Sequence, residues 1–141
     1  MKILADTSVW SLALRKKTLT EEEKSIVKEL KELIYELRVV VIGPVRQELL
    51  SGISDEKKFM NLKDKLRAFE DLALEVEDYE KAAEIYNTCR RNGVQGSQID
   101  FLICAAAINN EISIFTTDKD FENYKKYINI KLHTTRDELN Y

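Results

Sequence analysis

The chain has 141 residues, 44% of them hydrophobic and 33% charged, with a net charge of −3. That composition suits one folded domain with room for a three-layer core and excludes a disordered segment. The acidic balance argues against a protein whose whole surface grips nucleic acid, and it leaves room for a local basic rim at Arg15-Lys16-Lys17, Arg90-Arg91 or Lys125-Lys126.

The longest apolar runs, 39–42 and 101–108, fall well short of a membrane span. One Lys and no apolar stretch of signal-peptide length precede Asp6, so no signal peptide is expected. Cys89 and Cys104 form no C-x-x-C pair and sit among apolar neighbours, which predicts buried thiols in a reducing cytoplasm. With only four Gly and one Pro, short loops and mostly helical elements are expected.

Ile3-Leu4-Ala5 is a continuous apolar run, as in a strand buried on both faces of a parallel sheet. Residues 9–14 open a short helix. Thr20 and Glu23 form a capping-box pair, and the apolar residues from Ile26 to Leu37 recur at helical spacing. A second strand over 39–42 ends at Gly43-Pro44, and Pro44 starts a helix that stops near Gly52. Asp55 opens the next helix, with Phe59, Leu62, Leu66 and Phe69 as its stripe.

A third strand is predicted over 72–76, then a helix capped by Asp78 and stopped at Asn92-Gly93. Ser97 starts a helix that is apolar nearly all round, hence buried. Residues 112–115 read as a fourth strand, 121–127 as a short helix and 130–132 as a fifth, edge strand. Strands alternating with helices predict a three-layer α/β/α fold around a mostly parallel sheet of about four to five strands, as one domain over residues 1–141.

Acids recur where such sheets collect chemistry, at the carboxyl ends of strands. Asp6 closes the first strand, though an Asp there also suits a turn or helix cap. Glu48 lies in the second turn of the helix after strand two and leans back toward the strand end; by itself it reads equally as a solvated helix residue. Asp100 sits in the first turn of the most apolar helix, where Ser97-x-x-Asp100 also fits a capping box. Asp118 and Asp120 follow strand four. Asp118, nearer the strand end, is favoured for the site, with Asp120 an outer member or a cap.

Carboxylates gathered this way repel one another unless a cation joins them, and an all-oxygen set suits Mg²⁺ or Mn²⁺ rather than Zn²⁺. Such ions activate water and stabilise charge on a phosphodiester. His133, the single histidine, lacks a Ser or Cys partner and reads as structural or solvated; no Gly-rich phosphate loop is present. A receiver domain needs an acidic pair at the first strand, and an Asp-x-Asp phosphatase needs an acid where Ser8 stands, so neither pattern is met.

The chain resembles the PIN-domain family, and within it the VapC-type toxins of toxin–antitoxin pairs. The resemblance rests on Asp6-Thr7-Ser8-Val9-Trp10, Arg46-Gln47-Glu48-Leu49-Leu50-Ser51-Gly52, Ile99-Asp100-Phe101-Leu102-Ile103-Cys104-Ala105-Ala106-Ala107 and Thr116-Thr117-Asp118-Lys119-Asp120-Phe121, in that order over nearly the whole length. It implies a Mg²⁺- or Mn²⁺-dependent endoribonuclease in which Asp6, Glu48, Asp100 and Asp118 match the acidic quartet and Asp120 matches an additional acid. Ser8 and Thr116 match hydroxyl positions that support the site. It also implies an RNA substrate, a homodimer and a VapB-type antitoxin that wraps the toxin and blocks its acidic pocket. The alternative of another class is an inactive PIN-like scaffold that binds RNA or protein without cutting.

Overall fold

Ile3, Leu4 and Ala5 are each at most 1% exposed because their strand lies in the middle of a sheet. The computed structural model describes residues 1–136 of the chain, so residues 137–141 of the expected single domain lie outside the described residues. The sheet runs β3-β2-β1-β4, with β1 (Ile3–Ala5), β2 (Val39–Val41), β3 (Glu70–Asp71) and β4 (Ser113–Phe115) all parallel. Seven helices flank it among the described residues, giving the expected α/β/α arrangement. Parallel strands need crossovers of a dozen residues or so, and helices supply them here.

The register puts Leu4 beside Val40 on one side and Ile114 on the other. The carboxyl ends of β1, β2 and β4 therefore share one edge. Asp6 follows β1, α3 (Gly43–Leu50) follows β2, and residues 116–120 follow β4 at that edge.

Local signals set most helix boundaries. α1 (Thr7–Leu14) is capped by Asp6, and α2 (Glu21–Tyr35) begins with the full Thr20–Glu23 capping box. Pro44 stands at the first turn of α3, and Asp55 caps α4 (Glu56–Leu66) by accepting from the Lys57 and Lys58 amides. α5 (Val76–Arg91) stops at Asn92, and Gly93 takes the left-handed φ of +74° that lets the Val94 amide reach back to the Cys89 carbonyl. α6 (Gln98–Asn110) buries Phe101, Ile103, Cys104, Ala105, Ala106 and Ala107, as its unbroken apolar composition requires. α7 (Asp120–Lys125) follows β4 and buries Phe121 and Tyr124.

Three expectations are corrected. The third strand is Glu70–Asp71 and not 72–76, because Glu75 already caps α5. Asp78 is not the cap. It sits at the third helical position, accepts from the Glu75 amide at 2.8 Å with one oxygen, and takes Asn109 Nδ2 of α6 at 2.8 Å on the other. Residues 130–132 form no full strand; a single parallel bridge, Ile114 to Leu132, holds them to the sheet.

His133 is structural. Its Nε2 lies 2.6 Å from Glu29 Oε2, and Arg136 Nε donates to Glu29 Oε1 at 3.1 Å, so the buried Glu29 carboxylate of α2 anchors the segment after Ile130. Cys89 and Cys104 are buried free thiols. No helix among the described residues is long and apolar enough to cross a membrane.

Candidate active site

Asp6 is only 4% exposed, a burial that a carboxylate tolerates only when its oxygens are satisfied. Its Oδ1 accepts from the Ser8 amide at 3.0 Å and from the Ser8 hydroxyl, and its Oδ2 accepts from Thr116 Oγ1 at 2.7 Å. Both hydroxyl protons are thereby committed to Asp6. The 3.3 Å contact between Ser8 Oγ and Thr116 Oγ1 therefore carries no proton. The hydroxyl oxygens accept in turn: Ser8 Oγ from the Thr117 amide and Thr116 Oγ1 from the Asp118 amide, each at 3.0 Å.

Two short side chains thus fix the path of the chain after β4 relative to the end of β1. Burial pushes the Asp6 pKa above its ordinary value, and the hydrogen bonds from Ser8 and Thr116 pull it partway back.

Asp100, at the third position of α6, approaches from the other side. Ser97 accepts from the Asp100 amide at 3.0 Å, as the capping reading predicted. The Asp100 carboxylate does not return to the Ser97 amide; its Oδ2 accepts from the Tyr124 hydroxyl at 2.7 Å. Burial is the main cause that raises the Asp100 pKa. The Tyr124 and Ser97 contacts oppose it, and the nearby negative charges of Asp118 and Asp120 add to it.

One oxygen each from Asp100, Asp118 and Asp120 lie within 4.8 Å of one another. Asp118 also accepts from the Asp120 amide at 2.9 Å, which explains how both acids come to stand there. Asp6 is not in this group, and neither is Glu48. Glu48 is exposed on α3 and makes no hydrogen bond or ion pair with the described residues.

No lysine or arginine pairs with Asp6, Asp100, Asp118 or Asp120 among the described residues. The three carboxylates of Asp100, Asp118 and Asp120, with no imidazole in their group, fit a hard divalent ion bound through oxygen. Cys104, one turn along α6 from Asp100, is no ligand. Burial first, then the charges of Asp100, Cys89 and Asp6, push its thiol far above the ordinary range and keep it protonated.

Two residues of the site escaped the sequence reading. Tyr124 carries no signal beyond an apolar helix position beside Phe121. Gly96 matters by close approach: a Cβ there would stand 2.7 Å from the Phe101 ring and closer still to the Tyr124 hydroxyl.

A family model described as the PIN domain matches residues 3–127. The chain belongs to the PIN-domain family. Solved structures with this PIN fold include FitAcB from Neisseria gonorrhoeae, at 20% identity and a TM-score of 0.70, covering 95% of this chain and 98% of that one. VapBC2 from Rickettsia felis, bound to a DNA fragment from their promoter, matches with 17% identity and a TM-score of 0.74, covering 94% of this chain and 98% of that chain. VapC20 from Mycobacterium tuberculosis, a sarcin-ricin-loop-cleaving toxin, matches with 17% identity and a TM-score of 0.65, covering 92% of this chain and 99% of the other. No curated protein sequence matches the chain.

Proposed function

We propose that this PIN protein is a divalent-metal-dependent endoribonuclease, the toxin of a toxin–antitoxin pair, and that the whole chain forms the one PIN unit. The observation that carries the reading is the group of Asp100, Asp118 and Asp120 oxygens within 4.8 Å of one another, tied through Thr116 to buried Asp6 and holding no cationic side chain. A toxin–antitoxin assembly and an RNA-loop-cleaving toxin among its structural neighbours support it.

In this reading Asp6, Asp100 and Asp118 hold Mg²⁺ or Mn²⁺, with Asp120 as the additional acid. Glu48 completes the quartet from α3, which leaves the carboxyl end of β2 beside Asp6's own strand. When bound, such an ion supplies charge neutralisation at the phosphodiester and water activation. The chain's own groups do the positioning. Ser8 and Thr116 spend their protons on Asp6 and so hold both of its oxygens in place; Tyr124 holds one oxygen of Asp100, Oδ2. With the acids ionised and a cation between them, an RNA phosphate can approach a site that would otherwise repel it.

The proposed partners are a VapB-type antitoxin and a second copy of the chain, in the cytoplasm, where the two free buried thiols stay reduced.

The test is cleavage of total RNA by purified protein in Mn²⁺ or Mg²⁺. Cleavage should vanish in EDTA and in Asp6→Asn and Asp100→Asn prepared side by side. Activity that survives in EDTA or in both variants refutes the reading, and a parent that binds no Mn²⁺ points to a non-cutting scaffold instead.

A further inference from the structure

We propose that the groove between the end of α1 and the face of α4 holds the backbone phosphates of single-stranded RNA flanking the cleaved bond; this rests on the nuclease reading above. The groove has a volume of about 680 Å³. Its rim carries Arg15, Lys16, Lys17, Lys58 and Lys65, and no aspartate or glutamate lines it. In a chain of net charge −3 that is a strong local reversal of sign.

Three of these five cations are not spent on structure. Lys16 pairs with Glu23 at 2.6 Å, and the Arg15 guanidinium donates to the Leu49 carbonyl, which carries no net charge. Lys17, Lys58 and Lys65 are exposed and form no ion pair with the described residues. Lys58 and Lys65 lie on one face of α4 with Leu62 between them, roughly 10 Å apart along the helix at 1.5 Å per residue. The floor is Leu14, Ile53 and Leu62, with no aromatic ring on which a base could stack. The groove therefore follows a backbone and does not select a sequence.

Its position argues for RNA over an acidic protein segment. Ser51 and Gly52 of the groove immediately follow α3, the helix that carries Glu48, and Arg15 ties the end of α1 to the end of that helix. Any phosphodiester seated at the acids brings its neighbouring phosphates with it. The acidic group offers such phosphates only carboxylates, whereas the groove offers cations and no acid.

The experiment is fluorescence anisotropy of a labelled single-stranded RNA dodecamer against the full chain in EDTA, over a range of NaCl concentrations. The triple variant Lys17→Ala/Lys58→Ala/Lys65→Ala should bind at least tenfold more weakly in low salt. Its slope of log affinity against log salt should be shallower by about 2, the loss of three single-strand phosphate contacts. The charge-matched control Lys125→Ala/Lys126→Ala/Lys131→Ala should keep the parent slope. An unchanged slope in the groove variant, or an equal loss in the control, overturns the proposal. So does parent binding of a polyglutamate peptide of the same charge as tight as its binding of RNA, which assigns the groove to an acidic protein segment. Cleavage of the same RNA in Mn²⁺ is scored separately: a parent that binds through the groove and never cleaves sinks the nuclease reading, whereas a parent that cleaves with the groove lysines irrelevant sinks only the groove.

Discussion

The Tyr124 hydroxyl donates to Asp100 Oδ2 at 2.7 Å and so joins α7 to the first turn of α6. Burial, and then acceptance by Asp100, push the Tyr124 phenol well above its ordinary value, so its proton stays in place and the carboxylate is the acceptor. Tyr124→Phe keeps the ring against Phe101 and Phe121, at centroid distances of 5.3 and 5.2 Å, and removes only this bond. The variant should lose about 1–2 kcal/mol of stability. Without the donor the Asp100 pKa rises further, so the acid limb of the pH–rate profile for RNA cleavage should move to higher pH. A variant with the parent's profile would show that the bond is mere packing.

Gly96 permits that bond by having no side chain. Gly96→Ala forces the Phe101 ring and the Tyr124 hydroxyl to move, at a cost of about 1–3 kcal/mol for overpacking. Cleavage should fall with it, as in Tyr124→Phe. Gly93→Ala is the contrasting case, since its Cβ meets open space and only the φ of +74° is strained. It should cost about 1 kcal/mol of stability with cleavage retained. Thermal melts and cleavage assays on the two variants separate the effects; equal losses of activity would contradict the assignment.

These two residues mark the limit of what the chain discloses when read as text. Capping and periodicity are local, so Thr20 with Glu23, Asp55 and Asn92-Gly93 announce helix ends that the fold keeps. A two-residue strand of exposed Glu70 and Asp71 has no apolar pattern to announce it, while 72–76 imitates one. The strand-end rule leads to Asp6, Asp118 and Asp120, and the buried helix leads to Asp100. Nothing in α7 distinguishes a tyrosine that packs from one that also holds a carboxylate. Contacts across many residues, such as Thr116 to Asp6, need the β1–β4 register before they can be seen.

Leu37 and Glu111 end α2 and α6 in the left-handed region, at φ +59° and +55°. The Arg38 and Ile112 amides then reach back to Leu33 and Ala107, the same closing bond that Gly93 allows in α5. A branched side chain at that φ is strained, and Leu37 is 80% exposed, so it contributes little packing in return. Leu37→Gly should raise stability by about 0.5–1 kcal/mol. Urea denaturation checks it; a loss of stability would show that the Leu37 side chain contributes more than the strain costs.

The acidic site makes the stability of the metal-free protein depend on pH in a direction opposite to that of an ordinary salt-bridged carboxylate. Asp6 and Asp100 both have pKa values raised above 3.8 in the folded chain, chiefly by burial. A raised carboxylate contributes stability that is fully present below 3.8 and is lost as pH rises through the folded pKa. In EDTA, the stability of the parent relative to Asp6→Asn/Asp100→Asn should therefore climb as the pH falls from neutral toward 3.8. Mn²⁺ favours the ionised carboxylates, so at 100 times its dissociation constant it should add about 2.7 kcal/mol at neutral pH and reverse the slope. The double variant should show neither the slope nor the Mn²⁺ effect. Chemical denaturation at several pH values, with and without Mn²⁺, reads both quantities, and a parent whose stability relative to the variant ignores pH and metal alike would remove these two carboxylates from the proposed ligand set.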